Sequence, residues 1–315
     1  MTLSLLVKSF VTLPLIPAKW LAAALTIASL SAPAAAQDDG IEWDGLIELR
    51  GVESELEIDE GEGIDTSGFG ARARLGVTFD LSDHTSVRAE GEAAVFDFRD
   101  SDRDTLETKV ARVTITHQLS DEVEVRGFAR RHENIAVLEA LSADQTSVGA
   151  RVQWQEGNDR VRVTAEYRER DYDTTIGGDS DGYRVAAQYN RRLGSYNWLR
   201  FDLRTETNRS DNEPRRSFDR QVARVKYSVP IAKRLRFRPS VEYRQWDYDA
   251  RIAQGDPEGD LRRDSYVGLG TELAWGRATR GLYATARAEY RLRQSNDERF
   301  DRNNLRIGVR VGVRF

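Results

Sequence analysis

Apolar and polar residues alternate with a period of two along most of the chain. The stretch Leu305–Phe315 shows this most clearly, with Leu, Ile, Val, Val, Val and Phe at odd positions and Arg or Gly at even positions. The same alternation recurs at 69–79, 161–168, 199–204 and 282–291. Successive side chains of a strand point to opposite faces, so the period predicts β-strands with one apolar and one polar face.

Fourteen segments of this kind can be counted, and an even number is expected of a closed transmembrane barrel. Twelve or sixteen strands remain as alternatives. The predicted strands, with boundaries uncertain by about two to four residues, are 42–55, 68–80, 84–98, 106–119, 122–133, 144–155, 159–172, 181–192, 196–208, 216–229, 233–248, 264–276, 280–294 and 303–315. Pro239 interrupts the eleventh of them at an outward position, where we expect a β-bulge.

The connections between these segments alternate between short and long. Tight turns such as Gly157-Asn158 and Leu193-Gly194-Ser195 alternate with longer polar stretches such as 56–67 and 249–263. In outer-membrane barrels the short turns lie on the periplasmic side and the long loops outside. Both termini would then be periplasmic, and the loop 249–263 is the segment that we expect to fold inward as a partial constriction.

Aromatic residues at apolar positions fall into two groups. Trp43, Phe79, Trp154, Trp275 and Phe315 lie at the ends with short turns. A second group lies toward the long loops and comprises Phe69, Tyr167, Tyr183, Tyr243 and Tyr290. Two aromatic girdles around an apolar band are typical of barrels in a membrane. A soluble β-sandwich also has alternating strands, but it lacks both the girdles and the alternation of loop lengths.

Composition and the N-terminus support export. Lys8 and Lys19 precede an apolar run, Trp20–Leu30, and Ala34-Ala35-Ala36 supplies the small residues that signal peptidase accepts. We therefore expect a signal peptide at 1–36 and one barrel domain at 37–315. The chain has no cysteine, which excludes disulfides and thiolate metal sites. Its mean hydropathy of −0.60 is compatible with a membrane barrel, because only alternate strand residues meet lipid.

Val309, Val311, Val313 and the terminal Phe315 resemble the C-terminal signal of bacterial outer-membrane proteins. In that family the signal is read by the barrel-assembly machinery. The rest of the chain is similar only in architecture to monomeric fourteen-stranded porins, and no subfamily is indicated. The resemblance implies an outer-membrane location in a Gram-negative bacterium. The partners it implies are the lipid bilayer, the assembly machinery and small solutes, with no nucleic acid and no cofactor.

The inward positions of the predicted strands are mainly basic. About 25 Arg or Lys residues point inward against about 10 Asp or Glu residues, when the dyad rule for barrels is applied. The candidate lumen cations are Arg72, Arg74, Arg88, Arg126, Arg151, Arg162, Arg168, Arg184, Arg200, Arg204, Arg224, Arg236, Arg238, Arg287, Arg291, Arg306 and Arg310. The candidate lumen acids are Glu90, Glu92, Glu124, Glu166, Asp202, Glu242 and Glu289.

The formal net charge is −5, so acidic residues are concentrated elsewhere, in the loops. Two interpretations of the basic lumen stay open. Arg and Glu on neighbouring strands can form structural cross-strand pairs, or the surplus cations can favour anions in a porin-like channel for passive diffusion of small hydrophilic solutes. A structural or surface-adhesion barrel without a channel is the alternative function.

An enzyme is not expected. Outer-membrane lipid-modifying enzymes need a Ser–His pair with an orienting third group. The three histidines, His84, His117 and His132, have no outward serine that the strand pattern places beside them. The acidic run at 57–65 lacks the spacing of an EF-hand, so we interpret it as a solvated loop and expect no metal site.

Overall fold

The computed structural model describes residues 40–315, apart from 55–56, 60–61, 65–66, 101–103, 139–140, 173–177, 256–257, 277–279 and 302. The expected signal peptide at 1–36 lies outside the described residues. In the described part of the chain, no helix combines the length and the apolar composition needed to cross a membrane.

Fourteen antiparallel strands form one closed barrel, as predicted. The barrel strands are β1 (Ile41–Ser54), β4 (Gly68–Ser82), β5 (Thr85–Phe98), β6 (Leu106–Gln118), β7 (Val123–Leu138), β8 (Leu141–Glu156), β9 (Asp159–Tyr172), β10 (Asp179–Leu193), β11 (Asn197–Asn208), β12 (Phe218–Ala232), β13 (Leu235–Ile252), β14 (Leu261–Gly276), β15 (Gly281–Ser295) and β16 (Asn304–Arg314). Each pairs with its neighbour in sequence, and β1 closes the ring against β16.

Two features outside the barrel strands were not predicted. The first long connection holds a small hairpin, in which β2 (Glu57–Asp59) pairs with β3 (Glu62–Ile64). The connection between β11 and β12 holds one turn of 3₁₀-helix at Pro214–Arg216. Both are short segments without the length that makes a periodic pattern visible.

The β7–β8 hairpin is longer than the predicted strands 122–133 and 144–155. The two strands continue past a bulge, where Asn134 adopts a φ of 56° and its backbone N–H donates to Asp144 Oδ1 at 2.9 Å. The extra residue shifts the register and reverses the alternation beyond it. A simple period of two therefore ended the predicted strand too early.

The expected bulge at Pro239 is wrong. Pro239 lies opposite Thr271 of β14, and the register of that pair of strands is continuous on both sides of it. The register shift between β12 and β13 lies instead at Pro230–Ala232, beside the tight turn. A proline removes one backbone donor, and here the ladder tolerates that loss without an inserted residue.

The two faces of the barrel differ sharply. Large apolar side chains are exposed on the outer face, among them Trp43, Leu75, Leu203 and Tyr183, which are 61%, 50%, 60% and 62% exposed. Charged side chains such as Arg168 and Glu206 are buried on the inner face. This is the reverse of a water-soluble protein and matches a barrel that meets lipid on its outside.

Candidate functional site: the lumen

The strand register fixes which side chains share the inner face. Arg50 of β1 lies opposite Arg310 of β16, and on the next pair of strands Arg310 lies opposite Thr285. When this register is followed around the ring, every cation and acid that the sequence placed inward lies on this inner face.

One buried carboxylate, Glu206, is the centre of the largest charge cluster. Its side chain is 0% exposed. Four arginines from four adjacent strands surround its carboxylate oxygens: Arg168 at 3.6 Å, Arg184 at 3.0 Å, Arg204 at 3.8 Å and Arg220 at 2.5 Å. Because one negative charge faces four positive ones, Glu206 alone does not neutralise these arginines.

Glu166 extends the same cluster toward β7. Its Oε1 atom lies 3.1 Å from Arg184, 3.7 Å from Arg130 and 3.8 Å from Arg168. Arg168 is 1% exposed and also donates to the carbonyl oxygen of Thr207 at 3.2 Å. The two acids and their arginines therefore link β7, β9, β10, β11 and β12 on the inner face.

A second cluster surrounds Glu242 of β13. Arg224 and Arg244 both form ion pairs with its carboxylate. The hydroxyl of Tyr266 donates to Glu242 Oε1 at 2.5 Å. The guanidinium of Arg244 lies 4.8 Å from the centre of the Tyr266 ring, which is within the range of a cation–π contact.

Most of the other candidate residues form smaller groups of the same kind. In each, one or two cations lie near one or two carboxylates on the same strand or on a strand one or two positions away. The groups are Arg72 with Glu92, Arg74 and Arg88 with Glu90 and Asp44, Arg126 with Glu124, Arg200 with Asp202, Arg238 and Lys226 with Glu272, and Arg287 and Arg291 with Glu289. Cross-strand charge pairs of this kind stabilise a sheet modestly.

Several candidate arginines contact neutral partners instead. Arg151 donates to the hydroxyl of Thr164 at 3.1 Å, and Arg162 donates to Gln153 at 2.5 Å. Arg236 donates to the carbonyl oxygen of Tyr196 at 2.6 Å. Neutral partners leave the full positive charge of these side chains in the lumen.

Two cavities lie among these side chains. The larger, of ≈ 310 Å³, is lined by six arginines and two acids: Arg151, Arg162, Arg200, Arg204, Arg224 and Arg244, with Asp202 and Glu242. The smaller, of ≈ 240 Å³, is lined by seven arginines and two acids: Arg50, Arg224, Arg244, Arg287, Arg291, Arg306 and Arg310, with Glu272 and Glu289. Arg224 and Arg244 line both cavities, so they form the partition between them.

The loop between β11 and β12 covers part of the lumen at the long-loop end. Arg216 is 4% exposed, and its guanidinium lies 4.1 Å from the ring centre of Tyr172 on the inner face of β9. The side-chain amide of Asn208 donates to the carbonyl oxygen of Arg216 at 2.8 Å. The sequence had favoured 249–263 as the constricting loop, whereas this contact is made by 209–217.

The described part of the 249–263 loop contacts the loop after β15. The backbone N–H of Gln254 donates to Asp297 Oδ2 at 3.1 Å. Burial alone would raise the pKa of Asp297. The hydrogen bonds from Arg299 and from the backbone N–H groups of Gln254 and Arg299 outweigh it and lower that pKa below its usual value.

His84 lies in the short turn before β5, and the backbone N–H of Gln118, next to His117, donates to the carbonyl oxygen of His84 at 2.8 Å. His117 Nδ1 lies 2.9 Å from the hydroxyl of Thr85, on the outer face near a short turn. His132 faces inward on β7, opposite Gln145. Within the described residues, no carboxylate is hydrogen-bonded to His117 to complete a triad.

Several lumen residues were not predicted, among them Arg50 and Arg220. Glu206, Arg112 and Asp264 are not among the candidates, although Glu206 follows Arg204 at the next inward position of the same strand. Arg112 lies 3.7 Å from Glu90, and Asp264 pairs with Arg262 and Arg293 at 2.6 and 3.0 Å. Apolar–polar alternation places all three on the inner face, Arg112 in the middle of the predicted strand 106–119 and Glu206 and Asp264 near the ends of 196–208 and 264–276.

No protein-family model matches the chain, and no curated protein sequence matches it. Solved structures do match. A loop-deletion mutant of OmpT, an outer membrane protein of Vibrio cholerae, is 14% identical, with a TM-score of 0.52, and the match covers 87% of this chain and 100% of that one. An anion-selective porin from Comamonas acidovorans is 9% identical with a TM-score of 0.53, over 87% and 99% of the two chains.

A third match is DcaP, an outer membrane channel of Acinetobacter baumannii. It is 10% identical with a TM-score of 0.52, and the match covers 87% of this chain and 97% of that one. Similarity at this level of identity concerns the fold. Together with the closed ring of fourteen strands and the apolar outer face, it shows that the chain has the fold of the bacterial outer-membrane β-barrel proteins.

Proposed function

We propose that the protein is an outer-membrane channel for the passive diffusion of small hydrophilic solutes, and that it favours anions. The observation that carries this proposal is the composition of the two lumen cavities. Arginines outnumber acids there by six to two and by seven to two. Excess fixed cations in a confined aqueous space raise the local concentration of anions and lower that of cations.

The ion pairs do not remove this surplus. Arg151 and Arg162 hydrogen-bond neutral side chains, and within the described residues neither forms an ion pair with a carboxylate. Glu206 is shared by four arginines and Glu166 by three. The structural role and the functional role of these arginines therefore coexist, because pairing orders the side chains while the net charge stays positive.

The outer face supports a membrane location. Large apolar side chains are exposed along the outer face, and they include Trp43 and Trp154 near the ends with short turns and Tyr183 and Tyr290 nearer the long loops. By analogy with barrels of this fold, we propose that the short turns and both termini are periplasmic and that the barrel-assembly machinery reads Val309, Val311, Val313 and Phe315. We also propose that the protein is not an enzyme and needs no cofactor.

Planar-bilayer recordings across a KCl gradient test the selectivity. The wild-type reversal potential should have the sign of chloride preference. The double variant R151Q/R162Q should move it toward the cation side, because it removes two positive charges that form no ion pair in the described part of the chain. The matched control K109Q/E133Q removes an outward ion pair, with side chains 69% and 48% exposed, and should leave the reversal potential unchanged. A wild-type protein that prefers potassium would contradict the proposal.

A barrel without a channel is the second candidate, and one observation favours it. The 209–217 loop and the buried Glu206 cluster occupy part of the long-loop end of the lumen. Liposome swelling with sugars of increasing size distinguishes the two functions. A channel gives swelling that falls as the sugar grows, whereas a structural or adhesive barrel gives none.

A further inference from the structure

The smaller cavity contains a pair of like charges that face each other directly. Arg50 of β1 and Arg310 of β16 are partners in the register of the closing pair of strands. Neither forms an ion pair with any part of the chain that the structure describes. Like charges directly opposite each other destabilise a sheet. Arg112 and Arg130 are also opposite each other, but each of them has a carboxylate within ion-pair distance.

The nearest carboxylates are engaged with other groups. Glu48, on the same face of β1 as Arg50, accepts a hydrogen bond from the hydroxyl of Tyr283 at 2.5 Å. Glu289 pairs with Arg287 and Arg291. On one side the guanidinium of Arg50 is held 4.6 Å from the centre of the Phe96 ring. Arg50 is thus positioned by packing rather than by an acid.

The space beside the pair is open. Gly308 lines the cavity between Arg306 and Arg310, and a Cβ atom added there would meet only the carbonyl oxygen of Gly51, at 3.7 Å. Gly308 therefore leaves space in the cavity that a larger side chain would occupy. The volume of ≈ 240 Å³ suits a small solute and excludes a long oligosaccharide.

We propose that Arg50 and Arg310 form a binding subsite for a small tetrahedral dianion, such as phosphate, sulfate or a phosphate monoester. Two guanidinium groups that form no ion pair can be neutralised by two negative charges. A tetrahedral oxyanion can also accept hydrogen bonds from two separate guanidinium forks at once. A carboxylate carries one negative charge and two oxygens, so it neutralises only one of the two guanidinium groups. This inference rests on the proposed function and specifies the class of solute for that lumen.

Thermal unfolding of the folded barrel in detergent tests the site without requiring an open channel. At a pH of about 8, above the second pKa of phosphate, we compare inorganic phosphate, sulfate and glycerol phosphate with acetate at equal ionic strength. A ligand that binds only the folded state raises the midpoint, here by about 2–4 °C over acetate. Equal midpoints in all four salts would overturn the subsite.

The variants R50Q and R310Q separate this site from general charge effects. Both should lose the dianion-dependent rise, and without a dianion both should unfold at or above the wild-type midpoint, because the repulsion is removed. The control R200Q removes an arginine that pairs with Asp202 in the other cavity, at 2.8 Å, and should keep the rise. If R310Q kept the rise, or if it unfolded well below wild type without a dianion, the subsite would be wrong.

Bilayer recordings distinguish a failure of the subsite proposal from a failure of the channel proposal. In wild type, phosphate should reduce the chloride current at a concentration about tenfold lower than in R310Q. An anion-preferring channel with no rise in midpoint would contradict only the subsite. A rise in midpoint without any conductance would support the subsite and contradict the channel.

Discussion

The ring of Phe315 lies directly over Gly45 at the seam where the barrel closes. Their backbones exchange two hydrogen bonds, Gly45 N to Phe315 O at 3.0 Å and Phe315 N to Gly45 O at 3.1 Å. A Cβ atom at position 45 would lie 2.2 Å from the ring of Phe315. Glycine is therefore the residue that lets the last side chain pack flat on the first strand.

The seam contact predicts an assembly defect. F315A and G45V should each lower the fraction of protein that forms a closed barrel, because one removes the ring and the other displaces it. The double variant should be no worse than F315A alone, since both changes remove the same contact. The fraction that resists unfolding by SDS before heating measures this. The control G91A adds a methyl group where nothing lies within 4 Å, and it should assemble normally.

Loss of the Glu206 carboxylate should strongly destabilise the barrel. E206Q keeps the shape of the side chain but leaves four arginines around a neutral group, and an uncompensated buried charge of this kind costs about 3–5 kcal/mol. Denaturant unfolding in lipid vesicles measures the loss. The control E133Q breaks a single exposed pair with Lys109 and should cost about 0–1 kcal/mol. Equal effects of the two substitutions would show that Glu206 is not a structural centre.

Adjacent residues of β10 should respond oppositely to a new charge. Ala187 lies between Val163 and Leu203 on the outer face, and A187R should cost about 2–4 kcal/mol near the membrane midplane. Gln188 faces the larger cavity and hydrogen-bonds Asp202 at 2.9 Å, so Q188R should cost less than about 1 kcal/mol. Denaturant unfolding of A187R and Q188R tests the strand register. If Q188R were less stable than A187R, the register would be refuted.

Acid should loosen the contact between the two long loops at Asp297. The pKa of Asp297 is lower in the folded protein than in the unfolded chain. Its ionised form therefore stabilises the loop at any pH above its unfolded pKa, and this stabilisation is lost as the pH falls through the folded pKa. Hydrogen exchange at Gln254 measures the contact. D297N should exchange faster than wild type at neutral pH, and the difference should vanish in strong acid.

A barrel strand faces lipid on one side and water on the other, and this difference explains how much of the fold the sequence predicted. A strand such as β16 must place Val311 and Val313 toward lipid and Arg310 toward water, so a slip of one residue is heavily penalised and the alternation is unambiguous. The prediction failed at positions where alternation and residue chemistry do not determine the pairing of the strands. Asn134 inserts a residue that reverses the alternation, and Pro239 is accommodated without the bulge that its chemistry suggested.

The charge of the lumen was predictable from the sequence, but the contacts between its charged side chains were not. Alternation placed Arg168, Arg184 and Arg204 on one face, but it cannot say that all three contact the single carboxylate of Glu206. That convergence depends on the stagger between neighbouring strands. The position of Arg216 over Tyr172 likewise depends on how a short loop meets a strand that lies far from it in sequence.

The pairing of β1 with β16 determines when the Arg50–Arg310 site can form during assembly. Arg50 stands near the beginning of the barrel and Arg310 near its end, and they become neighbours only when β1 meets β16. A partly assembled sheet has each arginine on a separate edge and no paired charge to bind a dianion. Ligand binding at this pair would therefore report completion of the barrel, so a subsite built for solutes would double as a sensor of successful closure.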